Sequence, residues 1–237
     1  MPQTMVQSAT QLFTDNWKIY QKIINQNYML HREFATKGNT AFKKLKSLEP
    51  FKVLDLGCGD AQLISEQLSV FEIDSYIGYD LSATALALAS KNLESNNIAY
   101  ELCQGAMEML LDTTTSSFDI IHSSFAIHHL GDSGKKTFLK KCFQKLSPGG
   151  LFIIIDVFRD AVSLETYKRD YIARIRSRWN YLPDNEKDMI IDHILRYDYP
   201  ADISIFKLWA KEAGFTVTTA TVKDSFHKML LLSKAAN

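Results

Sequence analysis

The chain has 237 residues, of which 46% are hydrophobic, enough to bury one substantial core in a single domain with additions. Lysine plus arginine and aspartate plus glutamate each total 27, and this balance argues against an enzyme that tracks a nucleic-acid backbone, which usually needs a clear basic excess. The sequence shows no signal core, no apolar run of the ~20 residues that a membrane span needs, and no metal-like cysteine spacing, so we expect a cytoplasmic protein with reduced thiols and no membrane contact.

The amino-terminal segment, residues 1–48, is predicted to be helical. Apolar residues recur at helical spacing from Leu12 to Phe34, which indicates one or two amphipathic helices. A short helix from Phe42 to Leu48 follows and ends at Pro50. The simplest interpretation is that these helices cover one edge of a sheet.

The most informative stretch follows directly. A predicted strand over 52–56 carries Asp55 and breaks into Gly57 and Gly59, and a helix is predicted over 61–69. A strand that stops at glycines and restarts as a helix brings bare backbone close to a ligand. Asp55 adds a fixed negative charge that could hold a cationic group. This arrangement predicts a site for a nucleotide-like cofactor.

The next strands support the same interpretation. A second strand over 75–80 ends in Asp80, about twenty residues beyond the glycines, where a ribose diol would be held. A helix over 83–95 and a third strand over 99–104 continue the alternation. These elements form a βαβ unit, in which a strand, a glycine turn and a helix are followed by a second strand that ends in an acidic residue. Such a unit binds a nucleoside at the carboxyl edge of a parallel sheet.

The second half of the chain completes the sheet. Strands are predicted over 118–123 and 151–157, a helix over 135–146, and a turn at Ser147–Gly150 between that helix and the fifth strand. Two further apolar runs, at 215–221 and 228–233, are typical of a closing hairpin.

An insertion at 158–200 is too long for a simple connection and needs structure of its own. Pro183 separates two apolar helical faces, which consist of Leu164, Tyr171, Ile175 and Trp179, and of Met189, Ile190, Ile194 and Leu195. Because the insertion leaves the carboxyl edge of the sheet, we expect it to form an acceptor-binding cap. Its basic residues between Lys168 and Arg178 either form a solvated face or bind an anionic or planar acceptor.

The chain resembles the class I S-adenosylmethionine-dependent methyltransferases, over roughly residues 40 to 235. Five motifs in the family's order carry the resemblance: Val53–Asp60, Asp80, Phe118–Ser124 with Ile127–Leu130, Leu146–Ile154 and Ala213–Phe215. Two positions depart from the family pattern. Ala61 replaces the third glycine, a change that costs little if that backbone stays helical, and Gly105-Ala106-Met107 replaces the usual Gly-Asp-Ala beside the adenine.

The resemblance implies an α/β fold with a doubly wound, mostly parallel seven-stranded sheet and an antiparallel carboxyl-terminal strand. The cofactor-binding core would span 49–157 and 201–237, with 1–48 as a helical segment over the cofactor or a sheet edge, and 158–200 as the cap. The implied activity is methyl transfer from S-adenosylmethionine to an oxygen, nitrogen or carbon atom of a small-molecule acceptor. The expected cofactor-binding residues are Asp55, Gly57, Cys58, Gly59, Asp80, Leu81, Ala106, Met107 and Ser123.

His128 and His129 follow the fourth strand, where an acceptor would meet the methyl group, and are the candidate catalytic residues. A histidine with a pKa near ~6.5 can remove a proton from the acceptor at neutral pH. Alternatively, one ring fixes the loop and the other packs against Leu130, and alignment alone supplies the catalysis. Asp119 begins its strand, so it cannot join Asp156 in a carboxylate metal site, and we expect no catalytic metal.

Other functions remain open. A protein or RNA methyltransferase is opposed by the neutral charge and by the absence of an appended binding domain. A non-catalytic relative could bind the cofactor to regulate a partner. A dinucleotide-dependent oxidoreductase fits less well, because Gln62 stands where its third glycine would be. The sequence names neither the acceptor nor the oligomeric state.

Overall fold

The computed structural model describes residues 17–45, 48–113, 115–220 and 222–236. The helix predicted to begin near Leu12 is described from Trp17 onward, and its first part lies outside the described residues. Among the described residues, the amino-terminal segment forms the helices α1 (Trp17–Asn25) and α2 (His31–Lys43). The predicted helix at 42–48 is therefore in part the end of α2, and residues 46 and 47 lie outside the described chain.

Seven strands and seven further α-helices follow. The strands are β1 (Phe51–Leu56), β2 (Ile73–Asp80), β3 (Tyr100–Gln104), β4 (Phe118–Ser124), β5 (Leu146–Val157), β6 (Thr216–Ala220) and β7 (His227–Ser233). The helices are α3 (Gln62–Leu68), α4 (Ala83–Ser95), α5 (Met107–Thr113), α6 (Asp132–Lys145), α7 (Leu164–Arg178), α8 (Asp184–Tyr197) and α9 (Ile203–Glu212). A short 3-10 turn, Ile127–His129, follows β4.

The strands form one sheet in the order β3-β2-β1-β4-β5-β7-β6. β1 to β5 are parallel to one another, whereas β7 runs antiparallel to both β5 and β6. The predicted fold class is thus confirmed. The strand order reverses between β1 and β4, and in such sheets ligands bind at the carboxyl ends of the strands beside this reversal.

The sheet separates two apolar cores because successive side chains of a strand point to opposite faces. In β1, Val53 packs in one core and Leu54 in the other, and both are fully buried. A strand buried on both faces accounts for the continuous apolar run that precedes the glycines.

Three local features differ from the sequence prediction. β5 begins at Leu146 rather than near 151, because Leu146 pairs with Phe118 and the turn at Ser147–Gly150 becomes an irregularity within the strand. The short helix α5 was not predicted. Ala61 has φ 51 in the left-handed region, so the condition under which its replacement of glycine would cost little is not met.

The segment 158–200 contains two helices, α7 and α8, as its apolar periodicity predicted. Ser163 caps α7 by accepting a hydrogen bond from the amide of Thr166. Trp179, at the end of α7, stacks on Tyr28 with ring centroids 4.9 Å apart and an interplanar angle of 4°. The insertion therefore packs directly against the amino-terminal segment.

In the described part of the chain, every helix is too short or too polar to cross a membrane.

Candidate active site

The glycine loop after β1 leaves no room for side chains. Gly57 has φ 75, and a Cβ added there would lie 2.5 Å from Cβ of Ala126. Gly59 has φ 56, and its Cβ would lie 2.9 Å from the ring of Trp17. The amide of Gly57 donates to the carbonyl of Tyr79 at 2.8 Å, which holds the loop against the end of β2. The loop thus exposes backbone where glycine alone fits.

Ala61 begins α3 in the left-handed conformation that glycine adopts without cost. For an L-residue this conformation costs roughly 1–2 kcal/mol. Ala61, which replaces the family's third glycine, therefore keeps the backbone conformation of a glycine and does not adopt helical dihedral angles.

Asp80, at the end of β2, connects the loop to the next helix. One carboxylate oxygen accepts the amide of Gly59 at 2.9 Å, and the other accepts the amide of Ser82 at 2.8 Å. Burial raises the pKa of Asp80, although these backbone donors oppose the shift. The carboxylate is therefore fixed in position at the edge of the sheet.

Asp55 is held by protein donors. Its carboxylate accepts the hydroxyl of Tyr76 at 2.7 Å and lies 2.8 Å from Nδ1 of His122. The residue is 1% exposed. Asp55 thus stabilises the ends of three neighbouring strands, and its predicted role in holding a cationic group stays a prediction.

A cavity of about 80 Å³ lies over the glycine loop. Its floor includes Gly57, Cys58 and Gly59, and its roof comes from the amino-terminal helices through Trp17, Tyr20, His31 and Phe34. Burial raises the pKa of the Cys58 thiol well above its usual value, so this cysteine remains a neutral lining group.

His31 is the unexpected member of this lining. It is 6% exposed, and neither ring nitrogen has a hydrogen-bond partner among the described residues. Burial lowers the pKa of His31 to about 3. An imidazole without partners at a cavity wall is costly unless a ligand satisfies it.

The remaining predicted cofactor residues, like Asp80, do not belong to the lining of this cavity. Leu81 is 37% exposed just after Asp80, and its carbonyl accepts a bond from the side chain of Gln104. Ala106 and Met107 are half-buried at the start of α5. Ser123 is fully buried and donates to the carbonyl of Leu56, so it ties β4 to β1.

A second cavity, of about 60 Å³, adjoins the first and shares Tyr20 and Phe125 with it. Most of its wall is apolar and comes from α1, the segment after it, and the insertion. The lining residues are Ile19, Tyr20, Ile23, Met29, Phe125, His128, Val157, Tyr171, Trp179, Ile190, His193, Ile194 and Asp198.

His128 is fixed by Asp156 at the end of β5. Its amide donates to Oδ2 at 3.0 Å, and its Nδ1 lies 2.6 Å from Oδ1. Nε2, on the other side of the ring, lies 3.6 Å from Oδ1 of Asp198. Burial lowers the pKa of His128, but the carboxylates of Asp156 and Asp198 outweigh it and raise the pKa overall.

Two further imidazoles surround Asp198. Nδ1 of His129 lies 3.6 Å, and Nε2 of His193 lies 3.5 Å, from the same oxygen of this buried carboxylate. Burial raises the pKa of Asp198, whereas it lowers the pKa of His129 well below the usual value and that of His193 to about 3. The second cavity thus has one polar wall of His128, His193 and Asp198, and His129 lies behind this wall against His128.

The insertion is held in place by a buried network. The hydroxyl of Tyr171 bonds Nε2 of His227 at 2.9 Å, and Nδ1 of that ring lies 3.0 Å from Asp224. Arg174 donates to the other oxygen of Asp224. Arg174 is therefore a structural cation, and Arg176 pairs with Asp188 within the insertion.

Sequence reasoning missed four contributors to these cavities: Tyr20, His31, His193 and Asp198. Tyr20 falls within the apolar helical pattern from Leu12 to Phe34, which indicates packing and not a cavity. His193 and Asp198 lie 65 and 70 residues from His128 in sequence, and nothing in their local pattern separates them from an ordinary helix end. Their role depends on how α8 returns to the edge of the sheet.

Comparisons with known proteins agree with this geometry. Residues 53–150 match a family model described as "Methyltransferase domain". Over 161 residues, the chain is 29% identical to a ubiquinone biosynthesis O-methyltransferase of Bradyrhizobium diazoefficiens, covering 65% of this chain and 61% of that protein. Over 164 residues, it is 23% identical to the rRNA N(6)-adenosine-methyltransferase metl-5 of Caenorhabditis elegans, covering 67% of this chain and 72% of that protein.

Among solved structures, the chain is similar to the plantazolicin methyltransferase BpumL, which was crystallised with a monoazolic desmethylPZN analog and SAH. The TM-score is 0.68 at 16% identity, covering 95% of this chain and 93% of that chain. The chain spans about half to three-fifths of the length of the first curated relatives that it matches. The resemblance to the class I methyltransferases is confirmed.

Proposed function

We propose that this chain, which has the class I methyltransferase fold and a matched methyltransferase domain, transfers a methyl group from S-adenosylmethionine to a small-molecule acceptor. The observation that carries the proposal is the pair of adjoining cavities that share Tyr20 and Phe125. One lies against the glycine loop and the other against a polar wall of histidines. Two reactants held in adjoining cavities meet at the shared boundary, as in-line displacement requires.

The first cavity fits the amino-acid end of S-adenosylmethionine. Gly57 and Gly59 provide a cradle that any side chain would fill, and the unpartnered ring of His31 offers hydrogen bonds to a carboxylate. Asp80 is not part of the cavity lining but accepts the amide of Gly59, which is, and its oxygens would accept the ribose hydroxyls in charge-assisted bonds. Leu81 and Met107 would contact the adenine, and Ala106 replaces the family's acidic residue beside it.

When bound, the cofactor supplies a methyl group on a positively charged sulfur. The chain's own contribution is to bind, align and exclude water. Trp17 and Tyr20 roof the first cavity and are largely buried, so the reacting groups would be shielded from solvent. Tyr20 and Phe125 form the boundary across which the nucleophile must reach.

The second cavity fits an apolar acceptor with one hydrogen-donating group. Aromatic side chains from Phe125, Tyr171 and Trp179 line it, and no lysine or arginine belongs to its described lining. The acceptor's hydroxyl or amine would face His128, which lines the cavity, and His129 lies against the His128 ring with centroids 4.0 Å apart. These two histidines are the proposed catalytic residues. A polymer is less compatible with this enclosed space, although one relative is named for methylation of rRNA.

The test is isothermal titration with S-adenosylmethionine, S-adenosylhomocysteine and NAD in separate experiments. We expect micromolar binding of the two adenosyl ligands and no binding of NAD. Candidate phenols, alcohols and amines are then offered with a labelled methyl donor. Binding of NAD alone, or of no ligand, would overturn the proposal, and cofactor binding without transfer to any acceptor would favour a non-catalytic relative.

A further inference from the structure

The polar wall of the second cavity contains an arrangement that neither the fold nor the comparisons assign. Oδ1 of Asp198 is buried and makes no hydrogen bond among the described residues. Three imidazole nitrogens nevertheless surround it at 3.5–3.6 Å, beyond the 2.7–3.2 Å of an N–H···O hydrogen bond. Of these nitrogens, Nδ1 of His129 also lies 3.3 Å from the carbonyl oxygen of Tyr197, a contact that ligation of an ion through this atom would replace.

We propose that His128, His129 and Asp198 bind one divalent first-row transition-metal ion of the zinc type at this wall. Each residue offers one ligand atom, and the three atoms lie within 4.8 Å of one another. Bonds of about 2.0–2.2 Å to a central ion place neighbouring ligand atoms about 3.0–3.5 Å apart. Small side-chain rotations would bring the three atoms onto one ion.

The surroundings of His128 support this assignment. A histidine that ligates a metal usually donates its other ring N–H to a carboxylate, which fixes the tautomer and orients the ring. Nδ1 of His128 is bonded to Asp156 at 2.6 Å, so Nε2 is the atom directed at Asp198 and able to bind a cation in place of a proton. The amide bond from His128 to the same carboxylate makes this orientation rigid.

The local charge also favours a cation. Asp156 is 2% exposed and Asp198 is 5% exposed, so two carboxylates are buried within one cluster. The ammonium of Lys135 is directed to the backbone carbonyls of Leu130 and Tyr199 and forms no hydrogen bond with either carboxylate among the described contacts. The positive charges of Lys135 and Lys168 act on Asp198 and offset part of the charge of the two carboxylates, and a bound cation would offset the rest.

The ligand set selects the class of ion. Two imidazoles and one carboxylate suit zinc, iron or cobalt, whereas calcium and magnesium prefer oxygen ligands. Three protein ligands leave a coordination position open, which is typical of catalytic rather than structural sites. The ion would face the cavity lined by Trp179 and Ile190.

The role of the ion rests on the proposed function. An acceptor oxygen bound at the open position would lose its proton more readily, because a bound dication lowers the pKa of its ligand. In methyl transfer, the bond from sulfur to the methyl carbon breaks, the bond from that carbon to the acceptor oxygen forms, and the proton leaves to solvent. No oxidant or reductant is needed.

The first experiment measures metal binding without reference to activity. Tag-free chain is stripped with a chelator and titrated with Zn²⁺ and with Mg²⁺ by calorimetry, and with Co²⁺ while its visible absorption is recorded. We expect one Zn²⁺ per chain, no Mg²⁺ binding, and the d–d bands of Co²⁺ with nitrogen and oxygen ligands. Failure of the unmodified chain to bind Zn²⁺ or Co²⁺ stoichiometrically would overturn the site, and this result requires no variant to fold.

Variants then locate the ion. Asp198→Asn and His129→Gln should each weaken Zn²⁺ binding by about 100-fold, in line with the loss of one of three ligands. Asp192→Asn is the matched control, because Asp192 is an exposed aspartate one helix turn from the carboxyl end of α8, paired with Arg196. Equal Zn²⁺ affinity in Asp198→Asn and Asp192→Asn would also overturn the assignment.

Titration with S-adenosylhomocysteine separates this proposal from the proposed function. In one outcome, no metal binds, and the metal-free chain binds S-adenosylhomocysteine and transfers methyl groups at full rate. This result would support the proposed function and refute the metal site. In the opposite outcome, Zn²⁺ binds, but the adenosyl ligands do not bind and no methyl transfer is detected. This result would support the metal site and refute the methyltransferase proposal.

Discussion

The two cavities of this protein are built in different ways, although they adjoin. Half of the residues around the first lie within the continuous stretch 55–67, and its chemistry is mainly that of exposed backbone. The second gathers side chains between Ile19 and Asp198, from two helical segments and from the ends of two strands. A local motif can specify the first cavity, whereas the second exists only after the chain has folded. Under the proposed function, the glycine loop would bind the cofactor together with the amino-terminal helices, and the insertion would contribute to the choice of acceptor.

The largest expected effect is on the first cavity and concerns Asp80→Ala. Hydrogen bonds to charged groups contribute about 1.5–3 kcal/mol each, so losing two bonds to ribose should weaken S-adenosylhomocysteine binding by about 100-fold or more. The variant also releases the amide of Gly59. Calorimetric titration measures the change. Asp74→Ala is the matched control, because Asp74 lies on the same strand but is exposed. Unchanged affinity in Asp80→Ala would refute the ribose contact.

The next effect is confined to the second cavity and separates its chemistry from that of the first. We expect at least one of His128→Ala and His129→Ala to lower turnover by about 100-fold, the lower range for a group acting on a reacting proton. Affinity for S-adenosylhomocysteine should persist, because neither histidine lines the first cavity. Initial rates on the identified acceptor and calorimetry on the same samples measure both quantities.

Arg169→Ala serves as a control for these histidine variants, since Arg169 is exposed on α7 and lines neither cavity. If both histidine variants turn over at the rate of the unmodified chain, catalysis rests on alignment alone. If instead both lose cofactor affinity, the two cavities do not act as separate binding sites.

The smallest expected effect concerns His31. This residue belongs to the amino-terminal helices but lines the first cavity, half of whose lining residues come from the stretch 55–67. Its pKa is lowered to about 3 when folded, against about 6.5 when unfolded. Between these values the unfolded chain binds more protons, so stability is complete above pH 6.5 and is lost as the pH falls toward 3. His31→Phe should therefore reduce the loss of unfolding free energy between pH 7 and pH 4.5.

Urea denaturation at the two pH values measures this difference, with Lys37→Gln on the exposed side of the same helix as the control. His31→Phe should also weaken S-adenosylhomocysteine binding by about tenfold, the value of one hydrogen bond of about 1.4 kcal/mol. An identical pH dependence in the two variants would show that His31 already has a partner in the free protein.

Much of the fold could be predicted because its signals are local. The apolar run before Gly57 is a strand buried on both faces, and Asp80 ends the next strand where the βαβ pattern places it. The predictions failed where a distant contact decides the backbone. Pairing of Leu146 with Phe118 extends β5 through a glycine-containing turn, and the left-handed conformation of Ala61 follows from how α3 starts beneath the glycine loop.

The sequence by itself determined the class of fold, the glycine loop and the acidic residue beyond it, because each depends on neighbouring residues and on the geometry of a single βαβ unit. It also indicated the helical insertion and the histidine pair after β4. Tertiary structure alone decided that His31 would stand over the glycine loop and that Asp198 would lie among three imidazoles. Those contacts join residues far apart in the chain, and their chemistry arises from burial and proximity, which no local pattern records.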